Sequence, residues 1–88
     1  MNSRQLARFR VDERQVRDRP EEIAEVFSML RFVPVRAECL FAERRIEYVG
    51  ISERFADVPD GQIVPEMELR VTKDSTGRIE LVEVVPAT

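Results

Sequence analysis

The sequence predicts a small α+β domain, a two-layer sandwich in which an N-terminal helical region is followed by a four-stranded antiparallel β-meander. Apolar residues at helical spacing between positions 19 and 31 predict the helix. Alternating apolar and polar residues between positions 33 and 85 predict the sheet. Because 88 residues suit one domain of ordinary size, we expect a single domain over residues 1-88.

The Arg-rich N-terminal segment 1-18 allows two interpretations. Leu6, Phe9 and Val16 can share one face of a helix, with arginines on the rest of its surface. Alternatively, residues 7-11 alternate between apolar residues and arginine, which is typical of a short strand. We favour the helix.

The segment 19-31 carries the signals of a helix with one buried face. Asp18 can cap its N-terminus, and Pro20 has the backbone angle that the first turn needs. Pro34 disfavours helical geometry in the residue before it, so the helix should end near Arg31. The apolar stripe consists of Ile23, Val26, Phe27 and Leu30.

The segment 33-52 predicts two strands joined around Glu43-Arg44. A two-residue loop would pair Cys39 with Tyr48, and a three-residue loop would pair Cys39 with Val49. The composition of this stretch also favours a helix, which remains the alternative. In the irregular segment that follows, we expect a turn at Val58–Gly61 and expect Phe55 to close one end of the core.

The most regular pattern is a hairpin over residues 63-85. Asp74–Gly77 has the residues of a type I turn followed by a left-handed glycine. This turn would place Val71 opposite Leu81 on the core face. Val82 and Val84 would then lie on the opposite face, where one helix cannot cover them.

No arrangement of side chains typical of catalysis is evident. The chain has no His, which removes the commonest general base and metal ligand. We interpret Cys39 and Tyr48 as packing residues, and the acidic residues Asp57, Asp60, Glu66 and Glu68 as solvated loop and strand positions. We therefore expect no enzyme activity, no cofactor, no metal site and no small-molecule substrate.

The leading functional hypothesis is a non-enzymatic protein-interaction module that self-associates through its sheet, and we expect it to be a small bacterial or phage accessory protein. Apolar residues occur in both phases of the strands, and exposed apolar patches are typical of interaction sites. The expected interface residues are Val49, Ile51, Val82 and Val84.

The alternative hypothesis is a nucleic-acid-associated regulator that uses the N-terminal arginines. On a helix they could follow a phosphate backbone. These residues are Arg4, Arg8, Arg10, Arg14 and Arg17. Seventeen acidic residues against 14 basic ones argue against this function. A single cysteine and the lack of any long apolar run predict a cytoplasmic protein without membrane contact.

Overall fold

The computed structural model of the protein describes residues 3–87. Within these residues, six strands and two helices follow one another. They are β1 (Ser3–Asp12), α1 (Glu13–Asp18), α2 (Pro20–Leu30), β2 (Val33–Leu40), β3 (Arg45–Ile51), β4 (Asp57–Pro59), β5 (Met67–Lys73) and β6 (Ile79–Pro86). Neither helix combines the length and the apolar character that crossing a membrane requires, within the residues described.

The strands form two sheets, so the expected four-stranded meander after a helical region is wrong. One sheet has the order β2-β3-β1-β4, and the other is the β5-β6 hairpin. The two sheets meet at a parallel bridge between Arg8 and Glu66, where the Arg8 amide donates to the Pro65 carbonyl oxygen at 3.1 Å. The first strand of the chain therefore lies inside the larger sheet, and both helices fall between strands.

Residues 3–12 form a strand, which corrects the preference for a helix in segment 1-18. Ala7 and Phe9 are buried, and both belong to the core that α2 covers. Residues 3–5 pair with β4 and residues 6–12 pair with β3, and this pairing overrides the helix propensity of the Arg, Gln, Leu and Ala residues of the stretch. The helical part is the short α1, which Asp12 caps by accepting a hydrogen bond from the Arg14 amide at 2.8 Å.

The helix expected at 19-31 is confirmed as α2, with Ile23, Val26 and Leu30 buried. Its N-cap is Arg19, which makes no side-chain capping bond, so the expected cap by Asp18 is wrong. The helix ends at Arg31 in a left-handed conformation.

The hairpin expected within 33-52 is confirmed, and the helical alternative is excluded. Leu40 pairs with Arg45, which leaves a loop of residues 41–44. Both expected loop lengths, two and three residues, are therefore too short. Arg44 adopts a positive φ of 55° and closes the turn without the Gly or Asn that a tighter loop favours.

The β5-β6 hairpin and its turn are confirmed, but its expected register is wrong along most of its length. Lys73 pairs with Ile79, as the turn requires, whereas Thr72 pairs with Leu81. Glu80 is therefore an extra residue, and this bulge moves every later residue of β6 to the opposite face. As a result Val82 is 1% exposed and belongs to the core, while Leu81 is exposed.

The core lies between one face of the larger sheet, α2 and the hairpin. Its centre is an aromatic cluster in which the ring centroids of Phe9 and Phe32 lie 4.9 Å apart. Phe55 is buried against Phe32, as expected for a residue that closes one end. Burying side chains of this size contributes about 1.5–3 kcal/mol each.

Candidate functional site: the outer face and free edge of the sheet

The larger sheet has a second face, which we call the outer face. Residues paired directly across antiparallel strands share a face. Phe9 and Tyr48 form one such pair on the core side, so the alternating positions on each strand lie on the other side. Read across β2, β3 and β1, the outer face has the rows Val33–Ile51–Leu6, Arg36–Val49–Arg8 and Glu38–Glu47–Arg10.

The first of these rows is apolar and partly open to solvent. Val33 is 60% exposed and Ile51 is 37% exposed, while Leu6 is half-buried. Val49 adds a half-buried apolar side chain in the adjoining row, between two arginines. Apolar residues that adjoin each other on a surface are more informative than isolated ones, because they form a patch that a partner can cover.

The charged rows of the outer face neutralise each other. Glu47 is buried, and it accepts hydrogen bonds from Arg8 Nη1 at 3.4 Å and from Arg10 Nε at 3.2 Å. Arg10 also reaches Glu43 at 3.0 Å and Glu66 at 3.5 Å. The hydrogen bond to Glu47 raises the pKa of the Arg10 guanidinium, with these neighbouring carboxylates acting in the same direction. Two of the arginines expected to contact nucleic acid are thus occupied within the chain.

The strand β2 forms one edge of the larger sheet, and no strand of residues 3–87 pairs with its outer side. Most of β2 is exposed, and Phe41, directly after it, is 81% exposed. Pro34 has no amide proton, and Val35 is an extra residue opposite β3, so regular pairing begins at Arg36. From there to Leu40, the outer side presents unpaired backbone groups of the kind that another strand can bind.

The structure separates the four residues expected at an interface. Val49 and Ile51 lie together on the outer face. Val82 is part of the core, and Val84 is half-buried against it, so packing within the chain accounts for their burial. Whether any of the four contacts a partner remains a prediction.

The residues that the sequence analysis missed are Val33 and the exposed edge of β2. The alternation of β2 was visible, but alternation is the same in a central strand and in an edge strand. The one signal in the sequence was the position of Phe41 directly before a charged loop. In the structure, Phe41 is exposed.

The arginines expected to follow nucleic acid do not line one helix. Arg4, Arg8 and Arg10 lie on β1, whereas Arg14 and Arg17 lie on α1. Arg17 is within 3.5 Å of Asp18. Arg14 and Arg17 line a shallow depression with Arg44, together with the acidic residues Asp12 and Glu13. The basic groups therefore lie on different elements and alternate with carboxylates.

A half-open cleft of about 640 Å³ lies between β1, α2 and β5, where β1 and β5 diverge beyond the Arg8–Glu66 bridge. Its walls combine apolar residues such as Phe27 and Leu69 with charges of both signs, including Arg10 and Glu68. None of the residues that line it is a Ser, Cys, His or Lys. The groups of its lining that could act as a base are carboxylates, those of Asp12, Glu66 and Glu68.

Cys39, Tyr48 and four acidic residues are the other side chains that the sequence drew attention to. Cys39 is half-buried on β2, and Tyr48 packs against Phe9 and Phe27, where burial raises the pKa of its hydroxyl. Glu66 is half-buried, and Asp57, Asp60 and Glu68 are exposed. Over residues 3–87, no three side chains of metal-binding type come together.

No protein-family model, curated protein or solved structure matches the chain.

Proposed function

We propose that this protein is a small, non-enzymatic interaction module that associates with itself through the larger sheet. One observation carries the proposal. The apolar row Val33–Ile51–Leu6 ends at the free edge of β2, so exposed apolar side chains and unpaired backbone groups form one continuous surface. Such a surface is a hazard on a monomer, because other chains can pair with it, and a specific partner removes that hazard.

The occupied arginines support a protein partner over a nucleic acid. Phosphate binding needs free cationic groups in a continuous track. Arg8 and Arg10 instead share the buried carboxylate of Glu47. We also propose a cytoplasmic location, which the free thiol of Cys39 supports because such compartments keep thiols reduced.

The test places a charge in the apolar row. Val33→Glu should convert a self-associated species to monomer, because Val33 lies on the edge strand itself and association through this edge would have to bury the new carboxylate without a partner. Molar mass is measured by light scattering and by sedimentation equilibrium over a wide range of protein concentration.

Leu81→Glu is the matched control. Leu81 is an exposed apolar strand residue of similar size, but it lies in the β5-β6 hairpin. Its substitution should leave association unchanged, and circular dichroism should show that both variants fold. A wild-type chain that is monomeric at the highest concentration would refute the proposal, and so would an equal loss of association in the two variants.

A further inference from the structure

We propose that the partner is a second copy of this chain, and that the two β2 strands pair antiparallel around a two-fold axis at Ala37, joining the two larger sheets into one continuous sheet. This inference rests on the proposed function, since it names the partner and the register of that association.

Among residues 3–87, β2 forms the free edge of the larger sheet that has regular geometry. At the other side of the same sheet, β4 covers the start of β1, and Glu66 pairs with β1 at Arg8. On β2, by contrast, residues Arg36 to Leu40 are in uninterrupted register with β3 and have an open outer side. Strand addition at such an edge forms main-chain hydrogen bonds, whatever the side chains are.

The charges on β2 select one register. When two copies of a strand pair around a two-fold axis in a continuous sheet, the axis passes through one residue, and positions equally far from it lie opposite each other. An axis at Ala37 places Arg36 of each copy opposite Glu38 of the other. An axis at Arg36 or at Glu38 places two like charges face to face, and an axis at Cys39 places Glu38 opposite Leu40.

Opposite charges across paired strands are favourable and like charges are unfavourable. Only the axis at Ala37 gives two complementary pairs. Both side chains are available for this role, since Arg36 and Glu38 are each more than half exposed. They lie on the same face of β2, as the pairing requires. Within the chain, Arg36 Nη2 donates a hydrogen bond to Glu38 Oε2 at 3.1 Å.

Repulsion from a neighbouring carboxylate also favours a second cation beside Glu38. It lies directly opposite Glu47 of β3, so two carboxylates face each other within the sheet. Arg8 and Arg10 neutralise Glu47, while Glu38 has Arg36 as its ion-pair partner among the described residues. The Arg36 of a second copy would complete the compensation.

The same register gives one exposed apolar residue of this edge a partner. Val35 directly precedes the paired segment and is 58% exposed. The register places it opposite Cys39 of the second copy.

Exchange of the two charges tests the register. Arg36→Glu alone places two carboxylates opposite each other at both positions, and Glu38→Arg alone places two arginines there. Each single variant should be monomeric at concentrations where the wild type is dimeric. The double variant should dimerise again. An equimolar mixture of the two single variants should form a heterodimer, because every Glu of one then faces an Arg of the other.

Molar mass by light scattering gives the readout, with circular dichroism to show that each variant folds. A mixture that stays monomeric while the wild type dimerises would overturn the register and leave the proposed function intact. Loss of dimer in Val33→Glu but not in either charge variant would also overturn it. A monomeric wild type would refute both proposals together.

A cross-link gives a second, independent test. Val35→Cys places a thiol opposite Cys39 of the second copy. Within one chain the two positions are four residues apart on an extended strand, about 13 Å, which a disulfide cannot span. Mild oxidation should therefore yield a covalent dimer. Ile63→Cys, at a position that is 85% exposed and outside β2, is the control and should yield little. Equal cross-linking of the two variants, or none from Val35→Cys, would overturn the register.

Discussion

Gly50 shows how a single position can depend on space rather than on backbone conformation. It is buried in β3, and a β-carbon there would overlap the ring of Phe32 and the carbonyl oxygen of Val33. Close packing of this kind leaves the neighbours no room to move. The requirement for glycine comes from another segment of the chain, residues 32–33, so the sequence around position 50 does not reveal it.

Gly50→Ala should lower the free energy of unfolding by about 1–3 kcal/mol, the usual cost of overpacking a core. Urea denaturation at neutral pH measures the change. In the double variant Gly50→Ala/Phe32→Leu, the smaller side chain should relieve part of the overlap, so the two costs should sum to more than the cost of the double variant. Full additivity would show that the ring of Phe32 is not the obstacle.

Val82 shows at the same scale how a correct pattern can assign the wrong face. Its alternation with Leu81 was evident from the sequence, and the phase was fixed by counting from the turn. The extra residue Glu80 reverses that phase and places Val82 in the core. A β-bulge has no strong sequence signature of its own, so counting could not detect it.

At the scale of elements, the turn at Asp74–Gly77 is stabilised by its first side chain. Asp74 Oδ1 accepts hydrogen bonds from the Thr76 hydroxyl at 2.6 Å, the Thr76 amide at 2.8 Å and the Arg78 amide at 3.1 Å. These bonds, that of the Thr76 hydroxyl first, hold the pKa of Asp74 below its ordinary value of 3.8. Gly77 follows with a φ of 88°, which the turn requires.

The lowered pKa fixes the sign of a pH dependence. The folded chain binds this proton less readily than the unfolded chain, so ionised Asp74 stabilises the fold at neutral pH. That stabilisation is complete above about pH 5 and is lost as the pH falls through the ordinary value towards the lower folded pKa. In Asp74→Asn, which keeps an acceptor but has no charge, thermal unfolding should depend less on pH in this acidic range.

Two further variants define the role of the Asp74 side chain. Asp74→Ala removes the acceptor as well as the charge, so it should be less stable than Asp74→Asn at neutral pH. Ser75→Ala changes the neighbouring turn position and should retain the wild-type pH dependence. An acid profile of Asp74→Asn that superimposes on that of the wild type would contradict the assignment.

At the scale of the whole molecule, β1 is the strand that connects the two sheets. It lies between β3 and β4, supplies Ala7 and Phe9 to the core, and meets the hairpin through Arg8. A chain without residues 1–19 should therefore lose cooperative thermal unfolding, because β3, β4 and the hairpin would lose their common neighbour. Calorimetry of the truncated and full chains measures this. A sharp transition in the truncated chain would contradict the central role of β1.

Because β1 belongs to the core, deleting the N-terminal segment cannot test its arginines separately from the fold. Removing the segment would remove the core with it, so loss of any binding by a truncated chain would report unfolding. Charge reversal at Arg14 or Arg17, which are exposed on α1, leaves β1 intact and is the sound alternative.

The sequence by itself determined the features whose causes are local. The stripe of α2, the proline in its first turn, and the residues of the Asp74–Gly77 turn all act within a few positions of one another, so they could be identified without the rest of the chain. The pairing of residues near 33-51 as a hairpin is local in the same sense, because a short loop brings the two strands together. Of the surface, Val49 and Ile51 were singled out together, and they lie on one face.

Only the tertiary structure decided which strands are neighbours, and this determines the candidate site. The segment 7-11 is a strand because β3 and Glu66, which directly precedes β5, supply partners from at least 35 residues away. β2 is an edge because β3 pairs with β1 on its other side. Local periodicity is the same in an edge strand and in a central one, since both have two faces. What differs is the hydrogen bonding of the backbone on the second side, and only the complete sheet specifies it.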